Sequence, residues 1–249
     1  METKRLKIIA CCVLFRELSL CAAYSPHLID VEFLHRSLHS EPDKLREEVQ
    51  KCIDANVGMG YDALLLGYAL CSNGIANLVA RDTPLVIPKG HDCITLLLGS
   101  REAYDRSFWD NPGTYYYTPG WIEREGVEKE RMSVQGEEAR ATIYAQYVEK
   151  YGEANAKYLM DMLHSWQKNY SRALFIEMGL VDMDEHKEQV RKVARNYNWG
   201  YDETKGDLRL VRALVSGEWE PEDFLIVPPG ASTAPSYDEH VITCACGVT

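Results

Sequence analysis

The stretch LKIIACCVLF, residues 6–15, is an almost unbroken apolar run closed by Arg16 and Glu17. A half-buried strand would alternate, and a surface helix would show a three- and four-residue stripe. A continuous run instead predicts a strand buried on both faces, the pattern of a parallel sheet. Working outward, residues 31–34 (VEFL) read as a second strand. Pro42 opens a helix to about residue 55, with Leu45, Val49, Cys52 and Ile53 on one face. Residues 61–68 (YDALLLGY) are a third buried strand and 85–87 (LVI) a fourth, stopped by Pro88. Ser72-Asn73-Gly74 predicts a turn and cap before a helix through Val79, and Asp92 the cap of a helix over about 94–108. Short strands separated by helical patterns predict right-handed βαβ units.

The second half resumes this rhythm after an interruption. Residues 111–121 (NPGTYYYTPGW), with two Pro-Gly pairs and four aromatics, read as an ordered loop. Residues 123–138 are charged and read as a hinge, followed by a long helix over 137–169 whose tyrosines fall on a packing stripe. A strand is expected at 173–178, a helix at 184–196, a short strand at 199–201, a helix at 208–215 and a last strand at 224–227. The predicted fold class is α/β, with two Rossmann-like lobes, mostly parallel sheets, a long bridging helix and a cleft between the lobes. The expected division is 1–122 for the first lobe, 123–170 for hinge and helix, 171–230 for the second lobe and 231–249 for a turn-rich tail.

Composition narrows the function. The 249 residues carry 27 basic against 38 acidic side chains, a net charge of −11. That balance argues against a nucleic-acid binder and against docking on anionic lipid, since both need a basic face. The apolar run at residues 8–15 is far short of the roughly 20 residues of a membrane span. No small-residue cleavage site follows it, so a cytoplasmic protein is expected. Eight cysteines are present, and in a reducing compartment they read as packing residues, metal ligands or reactive thiols. No paired CxxC motif occurs, so any metal ligands must converge from distant segments.

The positions of these cysteines are informative. Cys11 and Cys12 lie toward the end of the first predicted strand, Cys71 follows the third, and His91 and Cys93 follow the fourth. In a parallel sheet the carboxyl ends of the strands share one edge, where ligands bind. Cys11, Cys71, His91 and Cys93 are therefore the expected metal ligands. A helix start after Cys71 would lower its pKa, and the second alternative to the metal reading is an enzyme with Cys71 as covalent nucleophile and His91 as its base. Asn73, Tyr117 and Trp121 are the expected cofactor contacts. The loop over 115–121, with Glu177, Met178 and Pro228-Pro229-Gly230, is expected to form the opposite wall of the cleft. Cys12, Cys21 and Cys52 read as packing, and Glu17, Asp30 and Glu32 as solvated or capping carboxylates. The loop over 67–74 has neither a dinucleotide-binding nor a phosphate-loop spacing.

Cys11 with Leu14 and Arg16-Glu17-Leu18, then LLGYALCSNG (65–74), PKGHDCITLLLGS (88–100) and PGTYYYTPGW (112–121), resemble the bacterial and archaeal family known as domain of unknown function 1638. The resemblance spans about residues 5–230. It implies an association with corrinoid-dependent methyltransferase systems of anaerobes. On that basis the protein is expected to bind zinc or an iron–sulfur cluster, to act in one-carbon metabolism, and to partner a corrinoid protein or a methyltransferase. His91-x-Cys93 is also the short ligand spacing of zinc enzymes that move methyl groups from a corrinoid to a thiol. A non-catalytic module binding a corrinoid or a small molecule is the alternative, with the Asp-x-His-x-x-Gly motif of corrinoid proteins absent from the chain.

Overall fold

A computed structural model describes residues 2–124, 136–236, 238 and 241–245. The expected hinge lies for the most part outside the described residues, as do His240 and Cys246. The elements, in chain order, begin β1 (Arg5–Cys11), α1 (Phe15–Ala23), β2 (Leu28–Leu34), α2 (Pro42–Ala55), β3 (Ala63–Gly67), β4 (Leu85–Pro88), α3 (Cys93–Leu98) and α4 (Arg101–Asp110). They continue β5 (Thr114–Tyr117), α5 (Pro119–Glu123), α6 (Gly136–Tyr151), α7 (Glu153–His164), β6 (Arg172–Glu177), α8 (Asp184–Tyr197) and β7 (Gly200–Lys205). Last come α9 (Arg209–Ser216), β8 (Phe224–Val227), β9 (Ser232–Pro235) and β10 (Ile242–Ala245).

The chain divides into two compact units. The first holds Met1–Arg106, Met178–Leu180 and Lys205–Thr249; the second holds Ser107–Glu177 and Val181–Thr204. The first unit is built on a five-stranded sheet in the order β2-β1-β3-β4-β8. Pairing is parallel from β2 through β4, with Ile8 opposite both Val31 and Leu65. The apolar run thus occupies an interior strand, covered on both faces as the sequence predicts. It leaves the sheet at Cys11, however. Cys12–Leu14 form a 3-10 turn and α1 follows, so Val13, Leu14, Leu18 and Cys21 bury a helical face. The run reads as one strand because the strand and the inward side of the next helix are both apolar.

Several other elements differ from expectation. β8 is antiparallel to β4, with Val86 opposite Ile226, so Pro228-Pro229-Gly230 belongs to the first unit and not to a second lobe. The helix expected over 94–108 is two helices, broken where Gly99 takes φ 81° and caps α3. The long helix over 137–169 is likewise broken at Gly152, φ 78°, into α6 and α7, with a 3-10 turn at Ser165–Asn169. A left-handed residue ends a helix, and glycine takes that conformation without a Cβ clash. No helix forms after Ser72.

The expected loop at 111–121 contains β5 and α5. β5 pairs in parallel with β6, Tyr116 opposite Leu174, in a three-stranded sheet β5-β6-β7. The second unit's core is Tyr115, Tyr117, Phe175, Val190 and Trp199, the tyrosine rings 4.9 Å apart. Both units are α/β, and no helix among the described residues is long and apolar enough to cross a membrane.

Parallel pairing sends β1, β3 and β4 out along the same edge, and β1 and β3 approach closely there. A Cβ on Gly67 would lie 2.4 Å from Ala10 Cβ, well inside contact distance. Gly67→Ala is therefore expected to destabilise the protein by about 1–3 kcal/mol through overpacking. Urea unfolding measures this, and an unchanged midpoint would show that the two strands are free to separate.

Candidate functional site

The carboxyl edge of β1, β3 and β4 gathers the cysteines. Cys11 is the last residue of β1 and is buried. Beyond β3 the ladder to the neighbouring segment continues. Leu70 N–H donates to the Gly90 carbonyl at 2.9 Å and Cys71 N–H to the His91 carbonyl at 2.9 Å. These bonds bring Cys71, 3% exposed, beside the turn that leads into α3. The Asp92 side chain caps that helix, accepting from Ile94 N–H at 2.9 Å, and Cys93 is its first residue.

Electrostatic contacts tie these groups together. Burial pushes the Cys71 thiol up to about 12, with the Asp92 charge adding to it and the backbone N–H groups of Ala69 and Cys93 opposing. Cys93 is raised well above the usual thiol range by burial, then by Asp92 and Cys71. Cys11 is raised as far, first by its hydrogen bond with Cys12, then by burial and the nearby Cys93. Asp92 is itself raised by burial, opposed by the Ile94 N–H, His39, His91 and Tyr104. At neutral pH the cluster is a set of protonated thiols around the half-buried Asp92 carboxyl group.

Three features of this site escaped the sequence. Glu17, expected to be solvated, is 1% exposed and lies within electrostatic reach of Cys93. Tyr68 is 3% exposed, its hydroxyl raised by burial and by Cys11 and Cys71, and that oxygen has no hydrogen-bond partner. Leaving a buried hydroxyl unsatisfied costs on the order of 1–3 kcal/mol, so the Tyr68 oxygen calls for a partner, whether a water, an ion or a ligand. The third is backbone strain. Cys71, Ser72 and Asn73 have φ of 48°, 56° and 66° in succession, where a helix start was expected. Each non-glycine residue in this region costs about 1–2 kcal/mol, a cost that collects at functional turns. Only the SNG signature hinted at it.

The remaining candidates separate. His91 is exposed; it meets Cys71 through its carbonyl, while its ring stands 6.2 Å from the Tyr104 ring. Among the described residues no hydrogen bond joins its imidazole to a cysteine. Asn73 is exposed, and its carbonyl accepts from Arg46 at 3.1 Å. Tyr117 and Trp121 belong to the second unit, Tyr117 as core packing and Trp121 half-buried behind the Thr118 cap. Glu177 pairs with Lys187 at 2.9 Å. Cys52 donates to Glu32 and Cys21 is buried on α1, in keeping with packing roles. Cys244 lies on β10. Among the described residues, no three His, Cys, Asp or Glu side chains are already placed as a metal ion would hold them.

A family model described as a protein of unknown function, DUF1638, matches residues 33–215. No curated protein and no solved structure matches the chain.

Two expectations follow. Raised thiol pKa values favour the folded state as long as unfolded thiols are also protonated. That contribution is complete below the ordinary thiol range and is lost as pH climbs through it toward about 12. Stability measured by denaturant at rising pH should fall across this window, and iodoacetamide should label Cys71 and Cys93 only slowly in the native state. Fast labelling at neutral pH would contradict the protonated state of both thiols and the burial of Cys71. Separately, Ser72→Gly should relieve left-handed strain and raise stability by roughly 1 kcal/mol. A loss of stability would mean that the serine side chain holds the turn.

Proposed function

The chain belongs to the DUF1638 family, whose description names no activity, and we propose that it is a metalloprotein in which Cys11, Cys71 and Cys93 hold zinc or an iron–sulfur cluster. One observation carries this reading: buried Cys11 and Cys71 and half-buried Cys93 lie within electrostatic reach of one another at one sheet edge, and the buried Tyr68 hydroxyl beside Cys11 and Cys71 has no hydrogen-bond partner. Soft donors of this kind suit zinc and iron–sulfur groups. Among the described residues no three His, Cys, Asp or Glu side chains are grouped to hold a metal ion, so binding requires both ionisation of the thiols and their drawing together. A bound soft cation reverses what burial does, since metal-bound thiols are deprotonated at neutral pH. His91, with its ring at Tyr104, stays outside the proposed ligand set.

The site's place in methyl transfer, with a corrinoid protein or methyltransferase as partner, is the part of the proposal that rests on sequence resemblance. A corrinoid as resident cofactor gains no support from this edge. The cavity bordering it measures about 250 Å³, below the roughly 300–1,000 Å³ of drug-sized ligand sites. Covalent catalysis by Cys71 is also disfavoured, because its thiol is buried and protonated and no imidazole is hydrogen-bonded to it.

Protein purified without oxygen and assayed for metal and visible absorption tests the proposal. Stoichiometric colourless zinc or a coloured iron preparation is expected, with the metal lost in Cys71→Ser and Cys93→Ser while folding is retained. A folded, metal-free protein that takes up neither zinc nor iron on reconstitution would overturn it.

A further inference from the structure

The thiol edge holds a side chain that the proposed ligand set leaves unexplained. Tyr68 is the first residue past β3 and Cys11 the last of β1. The register between the two strands runs to the pair just before them, Ala10 opposite Gly67. Three residues beyond Tyr68, the Cys71 N–H is bonded to the His91 carbonyl, so the segment carrying the tyrosine is held at the edge from both ends. Tyr68 is 3% exposed, and its hydroxyl has no hydrogen-bond partner among the described residues. Phenylalanine would fill the same space without a polar atom to satisfy, whereas a buried tyrosine hydroxyl normally finds a partner.

The surroundings of that hydroxyl are sulfur. Cys11 and Cys71 lie within its electrostatic reach, and Cys12 and Cys52 follow more weakly. Cys52 is committed elsewhere, donating to Glu32 at 3.3 Å, and Cys12 is hydrogen-bonded with Cys11. A neutral thiol is only a weak acceptor. A thiolate is anionic, and hydrogen bonds to ionised acceptors are roughly twice as strong as neutral ones. Cysteine bound to a metal is deprotonated at neutral pH. Metal binding would therefore turn the sulfurs nearest Tyr68 into the acceptors that its hydroxyl lacks.

We propose that Tyr68 is a positioning residue for the thiol site, its hydroxyl donating to a metal-bound thiolate of Cys11 or Cys71. The inference rests on the metal reading and adds to it a donor that is not itself a ligand. Partners of this outer kind are worth roughly 10–100-fold in metal affinity. A reversal of sign follows. The hydroxyl destabilises the metal-free fold, where it is unsatisfied, and stabilises the metal-bound one.

Tyr68→Phe in the full chain tests this, with zinc and cobalt ions as the probes. Without metal, the variant is expected to unfold at a higher urea concentration than the wild type. Its zinc affinity, measured by competition with a chromophoric chelator, should be about tenfold weaker. With cobalt, its thiolate-to-metal charge-transfer band should move to longer wavelength, because a thiolate that has lost a hydrogen bond gives up its electron more readily. In iron-loaded protein the same loss should lower the reduction potential, which hydrogen bonds to the sulfurs help to set. A tyrosine that served packing alone would make the variant less stable with and without metal and leave the band and the potential in place. The inference is overturned if the metal-free variant is the less stable protein, as it would be were a buried water already the partner of the hydroxyl. It is equally overturned if the variant keeps wild-type metal affinity together with an unshifted band or potential, and the metal reading then survives. Wild-type protein that takes up none of these metals overturns that reading and this inference with it.

Discussion

The two backbone hydrogen bonds from Leu70 and Cys71 to the carbonyls of Gly90 and His91 hold the functional edge together. They carry the parallel pairing of β3 and β4 past the point where both strands formally end. The segment after β3 cannot swing away as an ordinary loop would, and Cys71 is held beside the turn at Asp92 and Cys93. The same pairing, with β1 on the other side of β3, brings Cys11 to the same edge. Gly67 and Ala10 set the spacing, because a larger residue at 67 would push β1 and β3 apart where their cysteines leave the sheet.

Burial then determines the chemistry of what is gathered. Thiols are tolerated in an apolar neighbourhood as protonated, weakly polar groups, and their mutual proximity makes ionisation still less favourable. The Asp92 carboxyl interacts with the thiols, receives the Tyr104 hydroxyl and lies within electrostatic reach of His39 and His91. Left-handed backbone from Cys71 to Asn73 turns the chain sharply, at an energetic cost that local sequence alone does not repay. The buried hydroxyls of Tyr68 and Thr95 have no hydrogen-bond partner among the described residues.

Much of this edge was legible because strand-end position is a property of pattern. Apolar runs located β1, β3 and β4, and the carboxyl-edge rule then selected Cys11, Cys71 and Cys93 without knowledge of any contact. His91 was selected by the same rule, but proximity in sequence does not fix which way a ring turns. The tyrosines at 115–117 misled for a related reason. Pro-Gly pairs on either side signal turns, yet the aromatic residues between them have strand propensity and pack as β5 in a core.

What the sequence determined by itself was local and periodic: the α/β alternation, the buried parallel strands, the Asp92 cap and the set of thiols at one sheet edge. Each follows from hydrophobic pattern or from hydrogen bonding a few residues apart. Tertiary structure alone decided that β8 returns antiparallel to β4, that Glu17 and Tyr68 are buried against the thiols, and that Cys71 to Asn73 adopt left-handed backbone. Pairing partner, burial and strain depend on segments up to more than a hundred residues away, as Val86 opposite Ile226 illustrates. No window of sequence contains both sides of such a contact, so its energy enters only when the chain is folded.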